Sequence, residues 1–202
     1  YTLYRMRKNL YLGLSRSVAD AKRAAMAGAV QNRLEKDLDL KVVSLVVLAS
    51  AILTFLIYRY FSQDTTAALV AMLVMIVAGF FFAAVSGYLV GLIGSSNNPI
   101  SGLTLATLIV AALLMVLLGM RGPLGVAAVL GVAGVVCVSA AVAGEMLQDL
   151  KVGHILGGTP WKMQVGDIIG VVFSGAVLFF PLYVLHTANK AQGGMGFGDR
   201  QL

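Results

Sequence analysis

Charge is scarce in this chain. Asp, Glu, Lys and Arg make up only 12% of its 202 residues, against about 25% in soluble domains. With 59% hydrophobic content and a mean hydropathy of +0.89, that shortage excludes an ordinary soluble domain. Cysteine is almost missing as well. Cys137 stands alone inside an apolar run, so it closes no intrachain disulfide and reads as a small buried hydrophobe. Metal-binding patterns are missing: there is no HExxH, no cysteine pair and no dense carboxylate set. Glu145, Asp149 and His154 could supply part of a metal site but not a whole one, and neither metal nor cofactor is expected. The tail "GGMGFGDR", Gly193–Arg200, lacks the Lys-Ser/Thr ending of a phosphate loop and follows no strand, so it reads as a flexible link. The start carries no signal-peptide cleavage pattern. Beginning at Tyr1 rather than Met, the chain reads as a piece of a longer protein.

What the sequence does contain is long apolar runs. Five are long enough for a bilayer, which needs about 20 apolar residues per helix. Their cores are residues 42–57, 67–93, 103–120, 124–143 and 165–185. The expected fold is therefore all-α, a polytopic membrane protein of about five transmembrane helices. Residues 42–190 would form the bundle and residues 191–202 a glycine-rich linker. Residues 1–41 differ. They hold nine of the fifteen Lys and Arg, with Leu3, Leu10, Leu14, Val18, Ala21 and Ala25 recurring at helical spacing. A basic amphipathic helix on a membrane surface fits this pattern. Nucleic-acid binding does not, because the charge stops where the first span starts. Counting Lys and Arg by side, with the start inside, gives eleven inside (Lys151 and Lys162 included) against four outside (Arg59, Arg121, Lys190, Arg200). That predicts a cytoplasmic start. Gly87-x-x-x-Gly91, Ala140-x-x-x-Gly144 and Gly166-x-x-x-Gly170 give helices faces for close approach.

Between the second and third runs stands "GSSNNPISG", Gly94–Gly102. A turn would explain part of it, with Asn98 as N-cap and Pro99 in the first helical turn. It would not call for Ser95, Ser96 and Asn97 as well, nor for Gly102 just inside the helix. The preceding run is 27 residues, roughly 40 Å as a helix, longer than the hydrocarbon thickness. It must tilt, or break so that the polar stretch folds back into the membrane. Irregular backbone at that depth is tolerated only where it lines a cavity or is buried in protein. Hydroxyls and carboxamides there donate and accept without charge, which suits a polar organic solute. Turn and cavity both remain open on the residues alone.

A second polar cluster, "GEMLQDLKVGHILGGTPWKMQ", spans Gly144–Gln164. Glu145 and Asp149 are four apart and share a helical face. Lys151 and His154 follow, then a Gly-Gly-Thr-Pro turn and Trp161 as an interfacial anchor. It reads either as a solvated cytoplasmic loop or as a site where Glu145 or Asp149 takes up a proton, since carboxylates in membranes are costly and usually functional.

Together, "YLVGLIGSSNNPISGLTLATL" and "QDLKVGHILGGTPWKMQ" resemble motifs of the oligopeptide transporter family, prokaryotic type, which also includes the yellow-stripe-like metal-chelate transporters. The resemblance runs from about Asp37 to Leu202 and is strongest at Gly87–Leu108 and Gln148–Gln164. The ending "GFGDRQL" also looks like the loop before the family's next helices. The resemblance implies a secondary transporter, a proton-coupled symporter of small oligopeptides or peptide-like solutes in a bacterial or archaeal inner membrane, completed by the remainder of the same chain. It carries substrate binding onto Ser95, Ser96, Asn97, Asn98, Pro99 and Gly102. The second motif carries onto Gln148, Asp149, Lys151, Thr159 and Pro160. Beside it, the reading of the residues themselves makes Glu145, Asp149 and Lys151 the proton-coupling or gating group. Rival readings are a siderophore-like chelate transporter, a membrane-embedded enzyme acting on lipid-linked substrates through Glu145, Asp149 and His154, and a structural subunit of a larger complex.

Overall fold

Each turn of this fold falls where the sequence supplies a cap, a glycine or a proline. In a computed structural model, residues 11, 12, 15, 19, 33–120 and 122–197 are described. The expected amphipathic helix at the start therefore lies almost wholly outside the described residues, as do residues 198–202. A short 3-10 turn, Arg33–Glu35, leads to Asp39, whose carboxylate accepts from Lys41 N at 3.1 Å and caps α1, Leu40–Ser62. Gln63, at φ 55, ends it, and Asp64 accepts from Thr66 N to open α2, Thr65–Ile93. Gly94 stops α2 at φ 87. A 3-10 turn follows at Ser95–Asn97, then α3 at Ile100–Leu117. Gly119 and Gly122, both at positive φ, make the turn into α4, Gly122–Leu156. Gly157, at φ 78, ends α4, and Pro160 begins α5, Pro160–Ala191. No strand occurs among the described residues.

Five helices are long and apolar enough to cross a membrane, as the hydropathy pattern predicts. Helix ends depart from the expected cores at several places, and two of these bear on the site and its surroundings. The third helix stops at Leu117, three residues short of Met120. The fourth runs thirteen residues past Ala143, to Leu156. Nothing from Gly144 to Leu156 breaks a helix, and Met146, Leu150, Val152 and Ile155 keep it partly apolar. The charged residues there decorate a helix rather than a loop.

α4 is the spine. α2 and α3 pack along it, α1 packs on α2, and α5 meets chiefly α4. The core joins Ala68, Ala71 and Met75 of α2 to Ala111 and Met115 of α3 and to Val132 and Val136 of α4. Alanine and valine let the backbones come close, which is how helices associate where lipid gives no hydrophobic drive. Tyr58 of α1 donates its hydroxyl to Ala128 O at 2.9 Å. By contrast, the most apolar windows of α1 and α5 contain no buried residue.

Residues before α1 lie against the α4–α5 turn. Arg33 donates to Gly157 O at 3.0 Å, Trp161 N to Lys36 O at 3.0 Å, Leu38 N to Gln164 Oε1 at 2.9 Å, and Gln164 Nε2 to Asp37 Oδ1 at 3.1 Å. The segment before α1 and the α4–α5 turn are thus at the same end of the bundle. At the far end of α5, residues 192–197 fold back. Gly196 N donates to Asn189 Oδ1 at 2.9 Å and Phe197 N to His186 Nδ1 at 3.2 Å.

Candidate functional site

The site is built where α2 runs out. Its last carbonyls have no helical partner, and after Gly94 the backbone amides have none either. Gly94 N still closes onto Val90 O at 2.9 Å, Asn98 N onto Ser95 O at 3.1 Å and Ile100 N onto Asn98 O at 2.8 Å. Two further contacts are supplied by α4. Ser95 N donates to Gln148 Oε1 at 2.8 Å, and Lys151 Nζ donates to Gly91 O at 3.0 Å. The two polar motifs of the sequence are therefore neighbours in space, although Ser95 and Gln148 are 53 residues apart.

Packing brings them that close. A Cβ on Gly87 or on Gly91 would sit 3.5 Å from Leu147 Cδ2, so both glycines present a flat strip to α4. Gly144 lies under the polar stretch, where a Cβ would run into the Asn98 carboxamide, 2.8 Å from Ser86 Oγ and 3.0 Å from Val90 Cγ2. Those are two of the three small-residue spacings picked out above. The third, Gly166 with Gly170, faces nothing within 4 Å.

Asn98 does not cap α3. The N-cap position falls on Pro99, and no side chain caps that helix. The Asn98 carboxamide turns back instead. The Ser86 hydroxyl shares its proton between Asn98 Oδ1, at 2.9 Å, and Ala140 O. Ser95, Asn98 and Pro99 are half-buried, whereas Ser96, Asn97 and Gly102 are exposed. The six expected substrate-binding residues thus divide into a half-buried set tied inward and an exposed set. The Asn97 carboxamide makes a long contact of 3.4 Å to Ile93 O.

The expected proton-coupling group divides as well. On a helix of 3.6 residues per turn, Gly144, Leu147, Gln148 and Lys151 share one face, and Glu145 and Asp149 lie about a third of a turn round. Lys151 therefore serves the polar stretch, while Glu145 and Asp149 are exposed beside it. The structure adds a residue that the sequence reading passed over. Asp167, in the second turn of α5, has its Oδ2 buried with no hydrogen-bond partner among the described residues. Asp149 lies seven residues before the end of α4 and Asp167 seven after the start of α5, so the hairpin sets them at one level. The available signal was an aspartate inside an otherwise apolar run. Ser86, hidden in the apolar run before the polar stretch, gave no comparable signal.

Glu145, Asp149 and His154 do not converge on a metal. Among the described residues no three His, Cys, Asp or Glu stand close enough to hold one. An apolar cavity of about 410 Å³ lies between α3 and α4 at the opposite end of the bundle, lined by residues such as Leu108, Met115, Met120 and Val129. It offers a polar solute no hydrogen-bonding side chain.

Comparison with known proteins gives the family. A sequence model described as "OPT oligopeptide transporter protein" matches residues 9–199. A curated protein of Haemophilus influenzae named "Putative oligopeptide transporter" is 30% identical over 185 residues, covering 83% of this chain and 29% of that protein. The chain thus spans under a third of the length of that relative. No solved structure matches it. A match through almost the whole chain, taking in both motifs that meet at the end of α2, has one meaning: this chain belongs to the oligopeptide transporter family.

Proposed function

We propose that this chain is part of a secondary transporter that carries small oligopeptides or peptide-like solutes across a membrane in symport with protons. The break at Gly94–Pro99 contributes to the solute pathway. Ser96 and Asn97 offer a hydroxyl and a carboxamide to the amides and carboxylate of a peptide, and Gly102 keeps the first turn of α3 open. The observation that carries this reading is the non-helical stretch between two membrane-length helices, held on α4 well short of its end. From Gly144, beneath Asn98, to Leu156 is twelve residues, about 18 Å of helix. Irregular polar backbone recessed in this way is what a transporter site requires.

Proton coupling falls to the carboxylates on the other side of α4. Asp149 and Asp167, level in the α4–α5 hairpin, are the candidate carboxylates for proton transfer, since carboxylates within a membrane are costly and usually functional. Glu145 lies one turn nearer the bilayer centre. The Lys and Arg count puts the end that carries Arg33–Asp39 and the α4–α5 turn in the cytoplasm. The test is uptake of labelled di- to tetrapeptides into proteoliposomes of the full-length protein, with and without an inward proton gradient. Gradient-driven accumulation is expected. Transport of ferric or other metal chelates without peptide transport would overturn the substrate class.

A further inference from the structure

The break after α2 takes backbone groups out of the helical ladder, and α4 meets two of them with side chains from one face. At the end of α2, the Gly91 carbonyl belongs to the last turn, where the helix dipole is negative. Lys151 places an ammonium on it at 3.0 Å. Just past Gly94, the Gln148 carboxamide oxygen accepts the Ser95 amide at 2.8 Å. Gln148 and Lys151 are three apart, so one turn of α4 grips the break on both sides. Ser96 and Asn97, the next two residues, are exposed.

We infer that Gln148 and Lys151 are positioning residues: they fix the backbone on either side of Gly94 so that Ser96 and Asn97 project into the solute pathway. The inference rests on the proposed transport role for its consequence, but not for its geometry. Gln148 carries the greater share. Its bond to Ser95 is partly buried, whereas the Lys151 ammonium is exposed and competes with water. This also separates Lys151 from proton coupling, because its contact is to a carbonyl rather than to Glu145 or Asp149.

The test uses the full-length protein with Cys137→Ala and a single reporter, Asn97→Cys. Gln148→Met removes the acceptor at nearly constant size, and Gln148→Glu restores an acceptor. Lys151→Met and Lys151→Arg do the same for the donor. Two quantities are read: the alkylation rate of the reporter in folded, purified protein, and KM against maximal rate for peptide uptake in the same variants without the reporter. Gln148→Met is expected to change the alkylation rate severalfold and to raise KM by about two- to tenfold, the equivalent of one hydrogen bond. Gln148→Glu should restore both, and Lys151→Met should shift both in the same direction but less. A general packing defect would instead lower the maximal rate and the melting temperature, without rescue by Glu. If Gln148→Met leaves alkylation and KM at wild-type values, or if Glu fails to restore them, the inference is wrong. Alkylation needs no substrate. A wild type that transports no peptide while Gln148→Met still alters alkylation sinks the transport reading and leaves the positioning intact.

Discussion

Replacing Gly144 by alanine sets two effects of known size against each other. In an exposed helix the change gains about 1 kcal/mol, because alanine is the better helix former. Here the added methyl would strike the Asn98 carboxamide and stand 2.8 Å from Ser86 Oγ and 3.0 Å from Val90 Cγ2. The Asn98 side chain can swing away, but only by giving up its bond to Ser86, worth about 0.5–1.5 kcal/mol. Val90 belongs to the packed face of α2 and cannot move without the helix, and overpacking of that kind costs about 1–3 kcal/mol. The sum is a net loss of about 0.5–3.5 kcal/mol. Gly134→Ala, on the same helix with nothing within 4 Å of the added carbon, is the control and should hold or raise stability. Apparent melting temperature in detergent ranks the variants. The Asn98→Ala background supplies the sharper measurement. With the carboxamide gone, part of the space for the methyl already exists, so Gly144→Ala should cost less there, with a coupling of about 0.5–3 kcal/mol as for residues in contact. Gly144→Ala melting at or above wild type, or two penalties that simply add, would refute the placement of Asn98 against Gly144.

Asn97→Ala and Asn98→Ala should separate. Asn97→Ala is expected to weaken peptide affinity about two- to tenfold at unchanged melting temperature. Asn98→Ala should lower the melting temperature by releasing Ser86, and equal behaviour of the two would argue against the division into exposed and tied residues. Asp167→Asn should abolish gradient-driven uptake while sparing counterflow exchange, and retention of full gradient-driven accumulation would remove Asp167 from coupling. The same pair of assays on Glu145→Gln and Asp149→Asn assigns or dismisses each of those carboxylates. In a Cys137→Ala background, single cysteines at Lys36 and Gly157 should react with an impermeant reagent from one side of the membrane only, and labelling from opposite sides would contradict the bonds between Arg33–Leu38 and the α4–α5 turn.

Much of this architecture was legible in the sequence because membrane helices are specified by composition. Five apolar runs predict five helices, since no other open structure satisfies its backbone in lipid. Gly94, Gly157 and Pro160 mark their breaks by local conformational preference. Legibility failed where charge pointed to a loop. Glu145, Asp149 and Lys151 suggested a loop, yet without Gly or Pro between Met146 and Val152 the helix has no reason to stop. It failed again where a local rule met a distant competitor. Asn98 is a good N-cap by type, but Ser86 and Ala140 form a better-shielded partnership that no window around residue 98 contains. Gln148 was visible as part of a motif, and its partner at Ser95 was not, because only the packing of α2 on α4 through Gly87 and Gly91 brings them together.

That packing also bears on how solute and proton could be linked. The polar stretch is held by the Gly144, Gln148 and Lys151 face of α4, and Glu145 and Asp149 lie about a third of a turn round the same helix, with Asp167 level across the hairpin. Between these two faces there is only helix backbone, with neither a glycine nor a proline from Glu145 to Val152 to absorb a bend. If solute acts at one face and a proton at the other, an unbroken helix would pass the change as motion of a rigid body rather than through a chain of side chains. Coupling of this kind requires an element with two positions that both ligands bias. α4 can be that element only if its grip on Gly91 and Ser95 persists in both positions, so that α2, the polar stretch and α4 move together against α5. A cysteine pair replacing Gly87 and Leu147, when oxidised, should then leave transport largely intact, because it joins parts that do not separate. A pair joining α4 to α5 near Asp149 and Asp167 should arrest it. Arrest by the first pair and tolerance of the second would show that the moving boundary lies between α2 and α4, and would place the break at Gly94 as the hinge instead.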